Sequence, residues 1–192
     1  MKKIATTLIA LGGLLGSTCA LADNHTVSVG YAQSKVQDFK DIRGVNAQYR
    51  YEWDSPVSVI GSLSYMKGDS SSSYYDEAKD FYKRHIDVKY YSLLAGPAYR
   101  INDYVSLYGL MGLAHTKADG GYEWRNSVGA DEPNGHASGS VSGKSTGFAY
   151  AAGLIINPME NLSVNIGYEG SKADIYGKHS INGFNVGVGY RF

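Results

Sequence analysis

The last ten residues, Gly183–Phe192 (GFNVGVGYRF), alternate without a break. Phe184, Val186, Val188, Tyr190 and Phe192 are large and apolar, and the residues between them are small or polar. Side chains of a strand point to opposite faces with a period of two, so this segment predicts a strand with one apolar face. A soluble domain rarely ends on a bare apolar edge, which invites aggregation. A strand that faces lipid and closes a barrel needs this pattern.

Seven further segments alternate in the same way. They span about 26–34, 43–53, 57–67, 87–100, 104–117, 145–157 and 162–172. Their predicted outward residues include Val29 and Tyr31, Val45 and Tyr49, Val59 and Leu63, Leu93 and Tyr99, Leu107 and Met111, Phe148 and Tyr150, and Ile166 and Tyr168. Leu94 and Leu110 interrupt the polar face of the fourth and fifth segments. Connections alternate in length. Asp54–Pro56, Ile101–Asp103 and Pro158–Asn161 are tight and rich in turn residues. Loops near 35–42, 68–86, 118–144 and 173–182 are longer and polar. Short–long alternation is the bacterial outer-membrane pattern, with tight turns in the periplasm and long loops outside. An even strand count then puts both termini in the periplasm. Along the strand directions, Tyr51, Trp53, Tyr99, Tyr190 and Phe192 gather at one end. Tyr31, Tyr65, Phe148, Tyr150, Tyr168 and Phe184 gather at the other. Amphipathic rings favour membrane interfaces, so one topology yields two aromatic girdles. The competing fold is a soluble sandwich or lipocalin-like barrel, which also alternates but buries its apolar faces. The expected fold is therefore all-β: an eight-stranded antiparallel transmembrane barrel over 23–192.

Met1–Ala22 reads as a signal peptide: Lys2 and Lys3, an apolar run over Ile4–Leu15, and Ala20-Leu21-Ala22 as the cleavage site. The run is short for a membrane span of about 20 apolar residues. Cys19, the one cysteine, lies inside that segment, so the mature chain holds no disulfide and no thiol nucleophile. Cleavage removes two lysines and no acid, leaving 16 basic against 18 acidic side chains, a charge of −2 that gives no sign of nucleic-acid binding. Seventeen tyrosines and 24 glycines suit aromatic girdles and a crowded interior.

Specific stretches resemble the Ail/OmpX/PagC/Lom family of enterobacterial outer-membrane proteins. They are Val29–Ser34, Tyr49–Glu52, Val59–Ser62, Gly96–Asn102, Ser106–Gly109, Asn157–Asn161, Tyr168-Glu169 and Gly187–Phe192. Ser34–Lys40 and Ser180–Phe192 look most like the PagC branch. The resemblance implies an OmpX-like barrel in the outer membrane, in contact with lipid and lipopolysaccharide. It implies that the terminal strand, with Tyr190 and Phe192, is the signal read by barrel-assembly machinery. It also implies virulence roles: survival in phagocytes, serum and complement resistance, or adhesion to host matrix.

The polar faces put Arg50, Glu52, Arg100, Glu169 and Arg191 inside. An eight-stranded barrel has room only for side chains. Buried charges must pair, so a structural charge network is expected, with Asn46, Gln48, Asn165, Asn185 and Tyr108 as neutral partners. A filled barrel argues against a diffusion pore and against substrate access to these carboxylates. His25, His85, His115, His136 and His179 leave a Ser-His-Asp lipid-modifying enzyme open by inventory, but no spacing selects a triad. No catalytic, cofactor or metal-ligating set is expected. The second long loop is the candidate binding element: Tyr74, Tyr75, Phe81, Tyr82, Lys83 and Arg84 are residue types common at interface hot spots. The competing reading makes these rings the continuation of a tall hairpin, packed on one another. A structural role is the alternative function: basic residues such as Lys35, Arg43, Lys67, Lys89 and Lys117 would meet lipopolysaccharide phosphates.

Overall fold

Eight strands close on themselves in sequence order, every neighbouring pair antiparallel, and β1 pairs with β8 to seal the cylinder. They are β1 His25–Val36, β2 Asp41–Glu52, β3 Val57–Tyr75, β4 Phe81–Arg100, β5 Val105–Arg125, β6 His136–Met159, β7 Leu162–Asp174 and β8 Lys178–Arg191. The fold comes from a computed structural model that describes residues 25–37, 39–77, 79–127 and 135–192. The predicted signal at Met1–Ala22 lies outside these described residues.

The period-two pattern sets the faces. Leu63, Leu93, Met111 and Val188 are each about 60% exposed, at 58%, 64%, 66% and 62%, on the outer surface. A water-soluble monomer does not expose a continuous belt of this kind. Its proper solvent is hydrocarbon, in which a closed barrel leaves no backbone edge unpaired. The interior is filled. Asn46, Gln48, Arg50, Glu52, Asn165 and Glu169 are buried beside Ile60, Met66, Leu94 and Leu110. The two leucines that interrupt the polar face point inward. Leu94 stands opposite Gly112 in the register, and the backbone of Gly96 abuts Leu110, so a large side chain meets none.

The two halves of the barrel differ in height. β1, β2, β7 and β8 have 12, 12, 13 and 14 residues. β3 to β6 have 19, 20, 21 and 24. About ten tilted residues cross a bilayer. The surplus in β3–β6 forms a four-stranded sheet that stands above the membrane part. Here the structure moves the expected boundaries. Most of 68–86 is strand, paired out to Tyr75↔Phe81, and the 118–144 segment is paired out to Arg125↔His136. The cause is register. Ser70–Ser73 carry no hydrophobic alternation, but pairing begun in the membrane part continues without a bulge and satisfies the backbone. The 35–42 and 173–182 connections shrink to 37–40 and 175–177.

The opposite end has tight turns. Asn102 Oδ1 accepts the backbone N–H groups of Tyr104 and Val105, both at 2.9 Å, which fixes the β4–β5 turn. Both described chain ends lie at this end, where His25 and Phe192 exchange backbone hydrogen bonds of 3.1 and 2.9 Å.

Candidate binding surface

Register divides the candidate aromatic and basic residues between two faces. Tyr74, Tyr82 and Arg84 lie on the face that continues the barrel interior. Tyr75, Phe81 and Lys83 lie on the face that continues the lipid-facing surface. They do not form one patch. On the inner face, Tyr74 stacks on Tyr82 with ring centroids 5.2 Å apart and planes 8° from parallel. Trp124 stands next in the same cross-strand row. Tyr122 lies across Gly139, its register partner, where a Cβ would meet the ring. Partial desolvation pushes the Tyr82 phenol above its ordinary range, and Asp76 and Asp80 push in the same direction.

Asp80 joins the two tall hairpins. Its carboxylate accepts from Trp124 Nε1 at 3.1 Å and from the Ser127 backbone N–H at 2.9 Å. Its own N–H donates to Asp76 Oδ1 at 2.9 Å. Sequence reasoning missed this role because the contact spans 44 residues.

On the outer face, Glu123 gathers cations. Arg125 donates through Nε at 2.8 Å and closes a second contact through Nη2, and His136 Nε2 stands at 3.5 Å. The Arg125 hydrogen bond, helped by the charges around it, holds the Glu123 carboxyl below its ordinary range. Lys83 is its cross-strand partner on β4. The ring of His85 lies over Gly121, so that a Cβ there would collide with it.

Lower on the same face, Arg43, Lys67, Lys89, Lys117 and Lys144 form one direct cross-strand row over five strands. Asp69, Asp87 and Asp119 form a second row two residues higher. Lys117 pairs with Asp119 at 3.0 Å, and Lys67 approaches Asp87 at 4.0 Å. Lys144 completes the row and was invisible in sequence, where it sits inside an expected loop. Lys35 stands apart, opposite Asp41.

The interior charges split into two groups. Glu52 receives Arg50 at 3.1 Å, Arg191 at 3.3 Å and Arg100 at 3.6 Å. Arg50 also donates to Ser58 at 2.9 Å and Ser106 at 3.1 Å. Glu169 stands elsewhere. It accepts from Tyr90 Oη at 2.7 Å and Ser64 Oγ at 2.9 Å, with no ion pair among the described residues. Tyr90 and Ser64 were not foreseen. Among the expected neutral partners, Asn165 donates to Gln48 at 2.8 Å and Asn46 donates to Ser62 and Ser64. Among the described residues, His25 bonds Tyr49 and His115 bonds Thr146, neither aligned with a serine nucleophile.

Comparison with known proteins agrees with this architecture. The whole chain, residues 1–192, matches the family described as enterobacterial Ail/Lom protein. It is 49% identical over 194 residues, covering all of both chains, to the virulence membrane protein PagC of Salmonella typhimurium. It is 38% identical over 196 residues, again covering all of both, to outer membrane protein X of Escherichia coli K12. Among solved structures, it is similar to Ail, the attachment invasion locus protein of Yersinia pestis, in complex with the heparin analogue sucrose octasulfate. That similarity has a TM-score of 0.65 at 36% identity, over 90% of this chain and 100% of that one. PagC is named for virulence, Ail for attachment and invasion, and outer membrane protein X for its place in the outer membrane. The tight turns and both ends of the barrel thus face the periplasm, and the tall hairpins face outward. This chain belongs to the enterobacterial Ail/Lom family of outer-membrane β-barrel proteins.

Proposed function

We propose that this chain is a non-enzymatic surface protein at the host interface, and that its β3–β6 extension is the binding element. One observation carries the reading: four strands run about ten residues past the membrane and present an aromatic inner face and an outer face of mixed charge on which basic side chains outnumber acidic ones. The barrel is a rigid mount, and binding residues on a rigid scaffold bind with less ordering cost. Sulfated glycans of host cells and matrix fit the chemistry, because lysine and arginine meet sulfate with charge-assisted hydrogen bonds. The Ail structure with a heparin analogue supports that class of ligand. Attachment, complement resistance and survival in phagocytes are the roles that follow from surface binding of this kind. Tyr190 and Phe192 mark the terminal strand for barrel-assembly machinery; changing both to serine then lowers the folded yield in cells.

The test replaces 69–87 and 119–142 with short turns. The altered barrel still migrates as a folded, heat-modifiable band, while serum survival and adherence fall to the level of a deletion strain. Unchanged survival and adherence would reject the proposal.

A second reading has its own observation. Like charges directly opposite one another destabilise a sheet, yet five basic residues stand in one row just above the outer girdle. Among the described residues, Asp87 and Asp119 pair with only two of the five, and lipopolysaccharide phosphates at that height supply negative charge to the rest, so the barrel also ties its neighbours in the outer leaflet together. Changing Lys67, Lys89, Lys117 and Lys144 to glutamine weakens lipopolysaccharide retention by the purified barrel; equal retention rejects this role.

A further inference from the structure

The outer face of the extension carries a feature that neither hairpin has alone. Lys83 and His85 on β4, Glu123 on β5, and His136 and Ser138 on β6 line an open hollow of about 580 Å³. Gly121, beneath the His85 ring, and the backbone of Gly139 also line it. Among the described residues, the permanent charges at and beside the rim at neutral pH are Lys83, Arg125 and the carboxylate of Glu123. That carboxylate is engaged by Arg125 and within 3.5 Å of His136. The charged neighbours of His85 are Lys83 and Asp87 along its own strand, Asp69 diagonally on β3, and Glu123 and Asp119 diagonally on β5. Those of His136 are Arg125, directly opposite, and Glu123. Imidazole is the side chain that changes charge between about pH 5 and 8.

Building on the reading of the extension as a sulfated-glycan surface, we propose that this hollow is an acid-strengthened site for a sulfate-bearing glycan, with His85 and His136 as its switch. Each imidazolium adds a positive charge beside Lys83 and Arg125, and a proton on His136 also draws on Glu123, which then opposes an incoming sulfate less. A unit charge about 4 Å from a sulfate oxygen in water contributes about 1 kcal/mol, or roughly fivefold in affinity. The two together strengthen binding on the order of tenfold or more. The hollow then discriminates by surroundings: it holds sulfated chains more tightly in an acidified compartment than in neutral fluid.

The test uses the full-length barrel in detergent micelles, with sucrose octasulfate titrated calorimetrically at pH 7.5 and 5.5. Folding of every variant is checked by heat-modifiable gel migration. The wild type tightens at least fivefold at pH 5.5. The H85Q/H136Q double variant, compared with itself at the two pH values, loses most of that tightening. K83Q weakens binding at both pH values while keeping the tightening. Binding that does not change with pH, or a double variant that tightens as much as the wild type, overturns the switch and leaves the glycan surface standing. No binding at either pH by a folded wild type overturns the glycan surface and the switch with it.

Discussion

Glu52→Gln is the substitution whose cost follows most directly from the geometry. The wild-type carboxylate meets three guanidiniums at 3.1, 3.3 and 3.6 Å. The side chains of Glu52 and Arg50 are 3% and 4% exposed, so this pair is buried; Arg191 and Arg100 are 26% and 33% exposed. Removing one partner of a buried pair leaves an uncompensated charge and costs about 3–5 kcal/mol. The two partly solvated pairs add less, about 1 kcal/mol or below apiece. The expected loss is therefore about 3–5 kcal/mol, dominated by Arg50. Glu169 provides the contrast. Its partners are two hydroxyls, so Glu169→Gln strands no buried guanidinium and costs about 1–2 kcal/mol. Both variants are read by urea unfolding of the refolded barrel in micelles, followed by gel mobility and tryptophan fluorescence. In a double-mutant cycle, adding Arg50→Gln to Glu52→Gln recovers part of the loss. A Glu52→Gln barrel within about 1 kcal/mol of wild type, or equal losses for the two glutamates, refutes the assignment of Glu52 as the counter-charge.

Three further outcomes are expected. A Cβ at Gly167 would run into the Tyr108 hydroxyl, so Gly167→Ala destabilises by about 1–3 kcal/mol, and Tyr108→Phe relieves part of that loss in the same unfolding assay. Asp80→Ala removes the acceptor of Trp124 Nε1 and frees the hairpin tips, which shows as a red shift of tryptophan emission. The Glu123 carboxyl titrates below the ordinary glutamate range. Its pairing with Arg125 therefore survives as pH falls through that range and is lost only below it. A carboxyl-carbon titration by NMR detects this, and Arg125→Gln moves the midpoint up.

The membrane part was legible because lipid imposes a strict pattern. Every second residue must be apolar outside, and Val186, Val188 and Tyr190 follow that rule to the end of the chain. The extension was legible only as the competing reading of a tall hairpin with its rings packed on one another, because water surrounds both of its faces and imposes no pattern. Ser70–Ser73 and Ser138–Ser142 carry strand geometry without strand composition, and only their cross-strand partners reveal it. Arg43, Lys67, Lys89 and Lys117 were legible as basic residues of the outer rim, but their alignment in one row with Lys144 follows from register rather than spacing. The interior charges were legible by face but not by height. Glu52, Arg100 and Arg191 end β2, β4 and β8 at one end of the barrel, so they converge. Glu169 is seven residues along β7 from Leu162 and meets Tyr90 instead. A strand's face follows from parity, but its partners follow from how far up the cylinder a residue stands.

The most direct test of the central claim is a transfer. Residues 69–87 and 119–142 are grafted onto an eight-stranded barrel with short outer turns, and adherence of cells displaying it to sulfated matrix is measured. The account predicts that adherence moves with the two hairpins and is abolished by competing heparin-like polymer. Adherence that stays with the original barrel after the hairpins are gone would contradict it.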